Sequence, residues 1–235
     1  MIKKGIILAG GQGTRMSPLT KAVNKQLLPV YDKPLIFYPL SILMLAKIKD
    51  ILIIVNKGQL NQYKKILPNG NNLGIKISYL EQSKPRGLPD AFVIGEKFIG
   101  KENVAMILGD NFFYGQNLTS KLLECTKIKR GAKVVLYKVQ KPEMFGVAKI
   151  NKKNKIISIK EKPKHNFYVN TGIYILDPIS MNFIPKGYFD MPSLFSKFIA
   201  NKLKAISFPL GEYWLDIGRH GDFKKANDDY HKIFK

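Results

Sequence analysis

The sequence predicts an α/β fold, an open, doubly wound and mostly parallel sheet with β-rich insertions in its second half. Three observations carry this. Short apolar runs alternate with longer helix-like segments through the N-terminal half, and a glycine-rich turn follows the first apolar run at once. After Gly131 the texture changes to short strands joined by Lys/Asn/Pro turns. A chain of 235 residues, 45% of them hydrophobic, can bury the core of one such domain, and nothing Pro- or Ser-rich divides it.

In order, residues 4–9 read as a buried strand and 10–16 as a glycine-rich loop. Helix-like runs at 35–48, 59–67 and 88–99 alternate with strands at 50–55, 75–80 and 104–108, which argues for parallel strands covered on both faces. Strands follow at 134–139, 146–150, 156–159 and 171–176, then a helix at 193–201, a strand near Ile206, the segment 213–218 and a final helix at 222–233.

Composition excludes several function classes. The net charge is +22, yet only four of the basic residues are arginines and the lysines are dispersed. A specific nucleic-acid surface would use arginine forks and interleaved aromatics, so a solvated lysine surface that draws polyanionic substrates is the reading. No run is long enough to span a bilayer and no leader pattern is present, so a cytoplasmic, soluble protein is expected. Cys125 is the one cysteine and reads as a packing residue.

The chemistry starts at Leu8-Ala9-Gly10-Gly11-Gln12-Gly13-Thr14-Arg15. Glycines after a strand let backbone N–H groups approach phosphate oxygens, and Arg15 adds a cation. Met16-Ser17-Pro18 stands where a dinucleotide fingerprint needs its third glycine, Val55-Asn56-Lys57 offers no acidic ribose ligand, and Gly-Lys-Ser/Thr is absent. Lys25, in Asn24-Lys25-Gln26-Leu27-Leu28-Pro29, could fold back as a second cation. Asp110 and Asp216 each follow an apolar run, where an α/β fold places its ligand crevice, and two such carboxylates suit a shared Mg²⁺. Glu161-Lys162-Pro163 presents a carboxylate for hydroxyls and an ammonium for phosphate.

Together these segments closely resemble bacterial glucose-1-phosphate thymidylyltransferases, through Gly10 to Arg15, the run from Lys25 to Pro34, Gln82 with Gly87, Leu108 to Asn111, Phe145-Gly146-Val147, Glu161-Lys162-Pro163 and Trp214 to Gly218. The resemblance implies a Rossmann-like sheet of the nucleotide-diphospho-sugar transferase type. It implies that a nucleoside triphosphate, dTTP, and a sugar-1-phosphate, glucose-1-phosphate, combine with Mg²⁺ to give a nucleotide sugar and pyrophosphate. Arg15, Lys25 and Lys162 become the catalytic cations. Leu8, Gly10, Gly11, Gly13, Thr14, Gln82, Gly87 and Asp110 become nucleotide contacts, and Gly146, Glu161, Asn170 and Thr171 sugar contacts. Asp110 and Asp216 become metal ligands. Residues 1–130 would form the nucleotide-binding core and 131–235 the sugar-binding part of a single domain, in a homo-oligomer, with a dimer favoured. A sugar phosphate is largely dianionic at neutral pH, with a second pKa of about 6, so no general base is required of His165, His220 or His231.

Three departures bear on the details. Asn170 precedes Thr171-Gly172 where thymidylyl enzymes have a smaller apolar residue, and Tyr188-Phe189-Asp190-Met191-Pro192 replaces their usual segment. Both resemble guanylyl- and heptose-type relatives, leaving GTP, CTP or UTP and mannose, heptose or amino-sugar phosphates as alternatives. The sequence ends 17 residues after Gly218, without the extension that builds a regulatory site in long members, so inhibition by a deoxysugar nucleotide is expected to be simply competitive. An inactive nucleotide-sugar sensor is the alternative of another class; it would not need both metal carboxylates.

Overall fold

Ile6, Ile7 and Leu8 are at most 8% exposed because the first strand has a parallel neighbour on each edge. The computed structural model describes residues 2–11, 13–115, 117–128, 131–139, 145–161 and 168–233. The N-terminal half runs β1 (Lys4–Leu8), α1 (Leu19–Ala22), β2 (Pro29–Val30), β3 (Lys33–Pro34), α2 (Phe37–Leu45), β4 (Asp50–Asn56), α3 (Leu60–Ile66), β5 (Lys76–Gln82), α4 (Asp90–Ile94), α5 (Glu96–Ile99) and β6 (Val104–Leu108). It continues through β7 (Asn111–Tyr114), α6 (Leu118–Cys125), β8 (Ala132–Lys138), β9 (Gly146–Ile150), β10 (Ile156–Glu161) and β11 (Tyr168–Leu176). The chain closes with α7 (Met191–Ala200), β12 (Ala205–Leu210), β13 (Tyr213–Asp216) and α8 (His220–Ile233).

In the main sheet of the described residues, β6, β1, β4 and β5 form the parallel half. The second half is mixed: β11 runs antiparallel to β6, β8 and β9, β10 antiparallel to β9, and β12 parallel to β8. The expected mostly parallel sheet with β-rich additions is therefore observed. The apolar strands are buried on both faces, in two core clusters that hold Ile7, Ile53 and Ile107 on one side and Ile6, Leu52 and Met106 on the other. A third cluster, around Met16, Leu35, Tyr38, Phe112 and Ile217, joins the first loop to β13.

Local differences from the expected elements have physical reasons. The run 88–99 is two short helices, broken where Gly95 lies so close to the sheet that a Cβ would sit 3.1 Å from Ile6 and 3.2 Å from Leu52. α6 was not anticipated, although Leu118, Leu122 and Cys125 are buried at helical spacing. β7 was missed too; it exists through its antiparallel partner β13, about a hundred residues later. Cys125 is 1% exposed, as its packing role requires, and burial pushes its thiol up to about 12. Among the described residues no helix is long and apolar enough to cross a membrane.

Candidate active site

Parallel pairing decides where the first site elements meet. Leu8 stands opposite both Ile54 and Leu108, and Asn56 opposite Gln82, so the loop after β1, the ends of β4 and β5, and Gly109-Asp110 after β6 share one edge of the sheet. There Asn56 ties the glycine loop down. Its Oδ1 accepts from Gly11 N at 3.0 Å and from Gln82 Nε2 at 3.0 Å, while its Nδ2 donates to Gly11 O at 2.9 Å. Gly10 makes room for Gln82, since a Cβ there would lie 1.8 Å from Gln82 Nε2. Gly11 and Gly13 have φ of 115° and 62°, in the left-handed region that glycine adopts without strain. Apart from its chain neighbours, no heavy atom stands within 4 Å of where a Cβ on Gly11 would be, so the loop has free space on that side.

The chain then turns through Thr14–Met16, anchored by the buried Met16, which leaves the neighbouring Arg15 exposed. Arg15 reaches towards Asp216: a Cβ on Gly218 would be 3.4 Å from Arg15 Nη2 and 3.5 Å from Asp216 Oδ2. Lys25 is aimed by its neighbour Asn24, whose Oδ1 accepts from Gln26 N at 3.0 Å and from the Tyr63 hydroxyl at 2.9 Å. Lys25 Nζ is ion-paired with Asp110 Oδ2, and both side chains are mostly buried. Lys25 thus folds back onto the carboxylate after β6.

Asp216 comes to Asp110 through the β7–β13 ladder, in which Asp216 stands opposite Asn111 and Ile217 N donates to Asp110 O at 3.2 Å. Burial, then the charge of Asp110, pushes the Asp216 carboxyl up to about 7, while Lys25 and Arg15 pull the other way. Trp214 locks this ladder to the rest of the fold: its Nε1 donates to Asn111 Oδ1 at 2.6 Å and lies 3.2 Å from Thr171 O.

Beside this cluster a cavity of about 310 Å³ opens where β11 changes partners. β11 pairs with β9 at Tyr168 and Val169 and with β6 only from Ile173, so Asn170, Thr171 and Gly172 leave that edge unpaired between them. The register against β8 also shifts between Asn170 and Tyr174, a bulge of the kind that re-aims side chains. Gly146, Glu161 and Asn170 converge: a Cβ on Gly146 would lie 2.7 Å from Asn170 Nδ2 and 3.2 Å from Glu161 Oε2. Thr171 lines the cavity, but its hydroxyl donates to Val135 O at 3.2 Å. Gly87 also lines the cavity, and Asp216 lines both it and the adjoining pocket that Arg15 lines.

The structure therefore gathers Leu8, Gly10, Gly11, Gly13, Gln82 and Asp110 at the sheet edge, and Gly146, Glu161, Asn170 and Thr171 in the adjoining cavity. Thr14 begins the Arg15 turn. Lys162 and His165 lie outside the described residues. His220 is exposed, its Nε2 3.0 Å from Ser17 O. Asn56 is a site residue that the sequence marks only by its position at a strand end. Asn111 and Trp214 have a structural role that their motifs do not announce, because it depends on a contact made across 103 residues.

The profile of the nucleotidyl transferase family matches residues 4–233. A glucose-1-phosphate thymidylyltransferase of Neisseria meningitidis is 44% identical over 232 residues, covering 95% of this chain and 81% of the relative. A Bacillus anthracis structure assigned as a glucose-1-phosphate thymidylyltransferase, in complex with sucrose, has a TM-score of 0.90 at 35% identity and covers 98% of this chain and 96% of its own. A UDP-glucose pyrophosphorylase complexed with UDP-glucose has a TM-score of 0.83 at 25% identity, with 99% of both chains covered. With loop, paired cations and paired carboxylates in one continuous match, the chain belongs to the nucleotidyl transferase family.

Proposed function

We propose that the protein transfers a nucleotidyl group from dTTP to a sugar-1-phosphate, in the first instance glucose-1-phosphate, and releases pyrophosphate. The observation that carries this is the meeting of Arg15, Lys25, Asp110 and Asp216 between the glycine loop and the cavity around Gly146, Glu161 and Asn170. A phosphate oxygen of the sugar phosphate attacks the α-phosphorus, the bond to the β-phosphate oxygen breaks, and pyrophosphate leaves. The attacking dianion needs no base, so the protein's task is to hold two anions in line and balance the charge that grows on the leaving group. Arg15 and Lys25 do this for the triphosphate, with Lys162 expected on the sugar phosphate. The backbone of Gly10, Gly11, Gly13 and Thr14 holds phosphates, with Leu8 beneath it. Gln82, fixed by Asn56, reads the base with Gly87. Glu161, Asn170, Gly146 and Thr171 contain the sugar.

Asp110 and Asp216 would hold Mg²⁺. Two carboxylates close enough for one to raise the other's pKa fit a divalent cation, and the described residues offer no group of three or more ligating side chains. That donor set suits magnesium, which keeps waters and takes substrate phosphate oxygens. When bound, the ion would supply charge stabilisation at the phosphates.

The test is pyrophosphate release with Mg²⁺, crossing dTTP, UTP, CTP, GTP and ATP against glucose, mannose and amino-sugar 1-phosphates. Turnover with dTTP and glucose-1-phosphate is the expected result, lowered at least about 10²-fold in Asp110→Asn and in Asp216→Asn. Silence across the grid, or near-normal rates in either variant, would overturn the reading. Asn170 beside Gly146 favours a second reading of the sugar alone, a hexose other than glucose, which the same grid decides.

A further inference from the structure

Among the described residues the most exposed large hydrophobic side chain is Tyr188, at 75%, and it stands on the wall of the cavity together with Asp190, two places further along the chain. The backbone that carries it is firmly held. Phe189 N donates to Arg86 O at 2.9 Å, and Gly87 approaches so closely that a Cβ would lie 1.9 Å from Phe189 O. The Phe189 ring packs against the core cluster of α7 and carries Lys197 Nζ 4.8 Å from its centroid. Phe189 thus faces the core, while Tyr188 and Asp190 on either side of it line the cavity. Asp190 has extended φ and ψ of −104° and 162° and caps α7, its Oδ1 accepting from Ser193 N at 2.7 Å. Pro192, in the first turn of that helix, reaches 3.3 Å from where a Cβ on Gly146 would be, so this segment and the Glu161–Asn170 wall enclose the same space.

We propose that Tyr188 and Asp190 set the sugar selectivity of this chain, Tyr188 by covering a C–H face of the hexose and Asp190 by accepting a hydrogen bond from one of its hydroxyls. The inference rests on the nucleotidyl-transfer reading and adds two residues to it. An aromatic ring left in water at a cavity rim gains by covering an apolar sugar face, and its hydroxyl remains solvated. A carboxylate that already serves as a helix cap is fixed in orientation, which makes its second oxygen a selective acceptor. A site built to bond a hydroxyl discriminates against the analogue that lacks it. The ligand class is therefore a hexose 1-phosphate with a hydroxyl placed to meet Asp190.

The experiment is steady-state pyrophosphate release with glucose or mannose 1-phosphate, whichever is turned over faster, and with its monodeoxy analogues. In the unaltered enzyme one deoxy analogue should lose about tenfold or more in kcat/KM, the size of a hydrogen bond to a charged group. Asp190→Ser keeps a capping side chain and withdraws the carboxylate; the penalty on that one analogue should fall to within about twofold, the other analogues keeping theirs. Tyr188→Ala should raise KM for the sugar phosphate about tenfold, with KM for the nucleotide unchanged and Tyr188→Phe restoring the original value. A wild-type deoxy profile in Asp190→Ser overturns the role of Asp190, and a wild-type sugar KM in Tyr188→Ala overturns that of Tyr188; in both cases nucleotidyl transfer stands. No pyrophosphate from the unaltered enzyme with any pair overturns the transfer reading, and this inference with it.

Discussion

Replacing Gly10 by alanine adds one methyl group at a point where the structure has no space for it. The new Cβ would sit 1.8 Å from Gln82 Nε2 and 2.5 Å from Gln82 Cδ. Gly10 is not among the glycines with positive φ, so backbone strain does not contribute and the whole effect is steric. Gln82 is 7% exposed and must move, breaking its 3.0 Å bond to Asn56 Oδ1. Losing that bond costs about 1 kcal/mol and forcing the side chain into packed surroundings about 1–3 kcal/mol more, so a loss of about 2–4 kcal/mol is expected. The nucleotide KM should rise at least about tenfold, because Gln82 and the loop tied to Asn56 are displaced together. Denaturant unfolding and pyrophosphate-release kinetics on Gly10→Ala, Gln82→Ala and the double variant separate the causes. If the clash is responsible, Gln82→Ala restores much of the stability lost in Gly10→Ala, although it deletes a second side chain. Strictly additive losses, or a Gly10→Ala enzyme with unchanged stability and nucleotide KM, would refute the steric argument.

Asp216 gives the protein a pH signature. Its carboxyl is raised from 3.8 to about 7, first by burial and then by Asp110, so the folded state holds this proton more tightly than the unfolded chain. The resulting stability is fully present below pH 4 and lost as pH rises through about 7; with metal chelated, melting temperature relative to Asp216→Asn should decline across that window, and parallel curves would contradict it. Mg²⁺ should raise the melting temperature more at pH 8 than at pH 5, since at the lower pH it must displace the proton. Cys125, buried with its thiol pushed up to about 12, should resist a thiol reagent at pH 8 in the folded protein and react on unfolding; rapid native labelling would be inconsistent with that packing. Trp214→Phe removes the donor to Asn111 Oδ1 and Thr171 O and should cost about 1–3 kcal/mol in a denaturant titration, a loss under about 0.5 kcal/mol showing that those acceptors find other partners.

Most of the parallel half was legible because its signals are local. A continuous apolar run such as 51–55 has to be buried on both faces, and glycines directly after a strand mark a turn whatever the rest of the chain does. The α6 signal was equally local and was overlooked. The break at Gly95 was harder to see, since it depends on how near the helices lie to Ile6 and Leu52. β7 and β13 are short strands that only each other's pairing reveals.

The sequence by itself determined the chemistry on offer: the glycine loop with Arg15, the amine of Lys25, the carboxylates of Asp110 and Asp216, and a Glu161 and Asn170 suited to hydroxyls. Only the tertiary structure decided how these act together. The β7–β13 ladder sets Asp216 beside Asp110, Asn56 fastens Gly11 to Gln82, and the change of partners along β11 opens the cavity that Tyr188 and Asp190 face. The physical reason is that each of these contacts joins residues distant in sequence, so its strength depends on strand pairing and register that no single segment encodes.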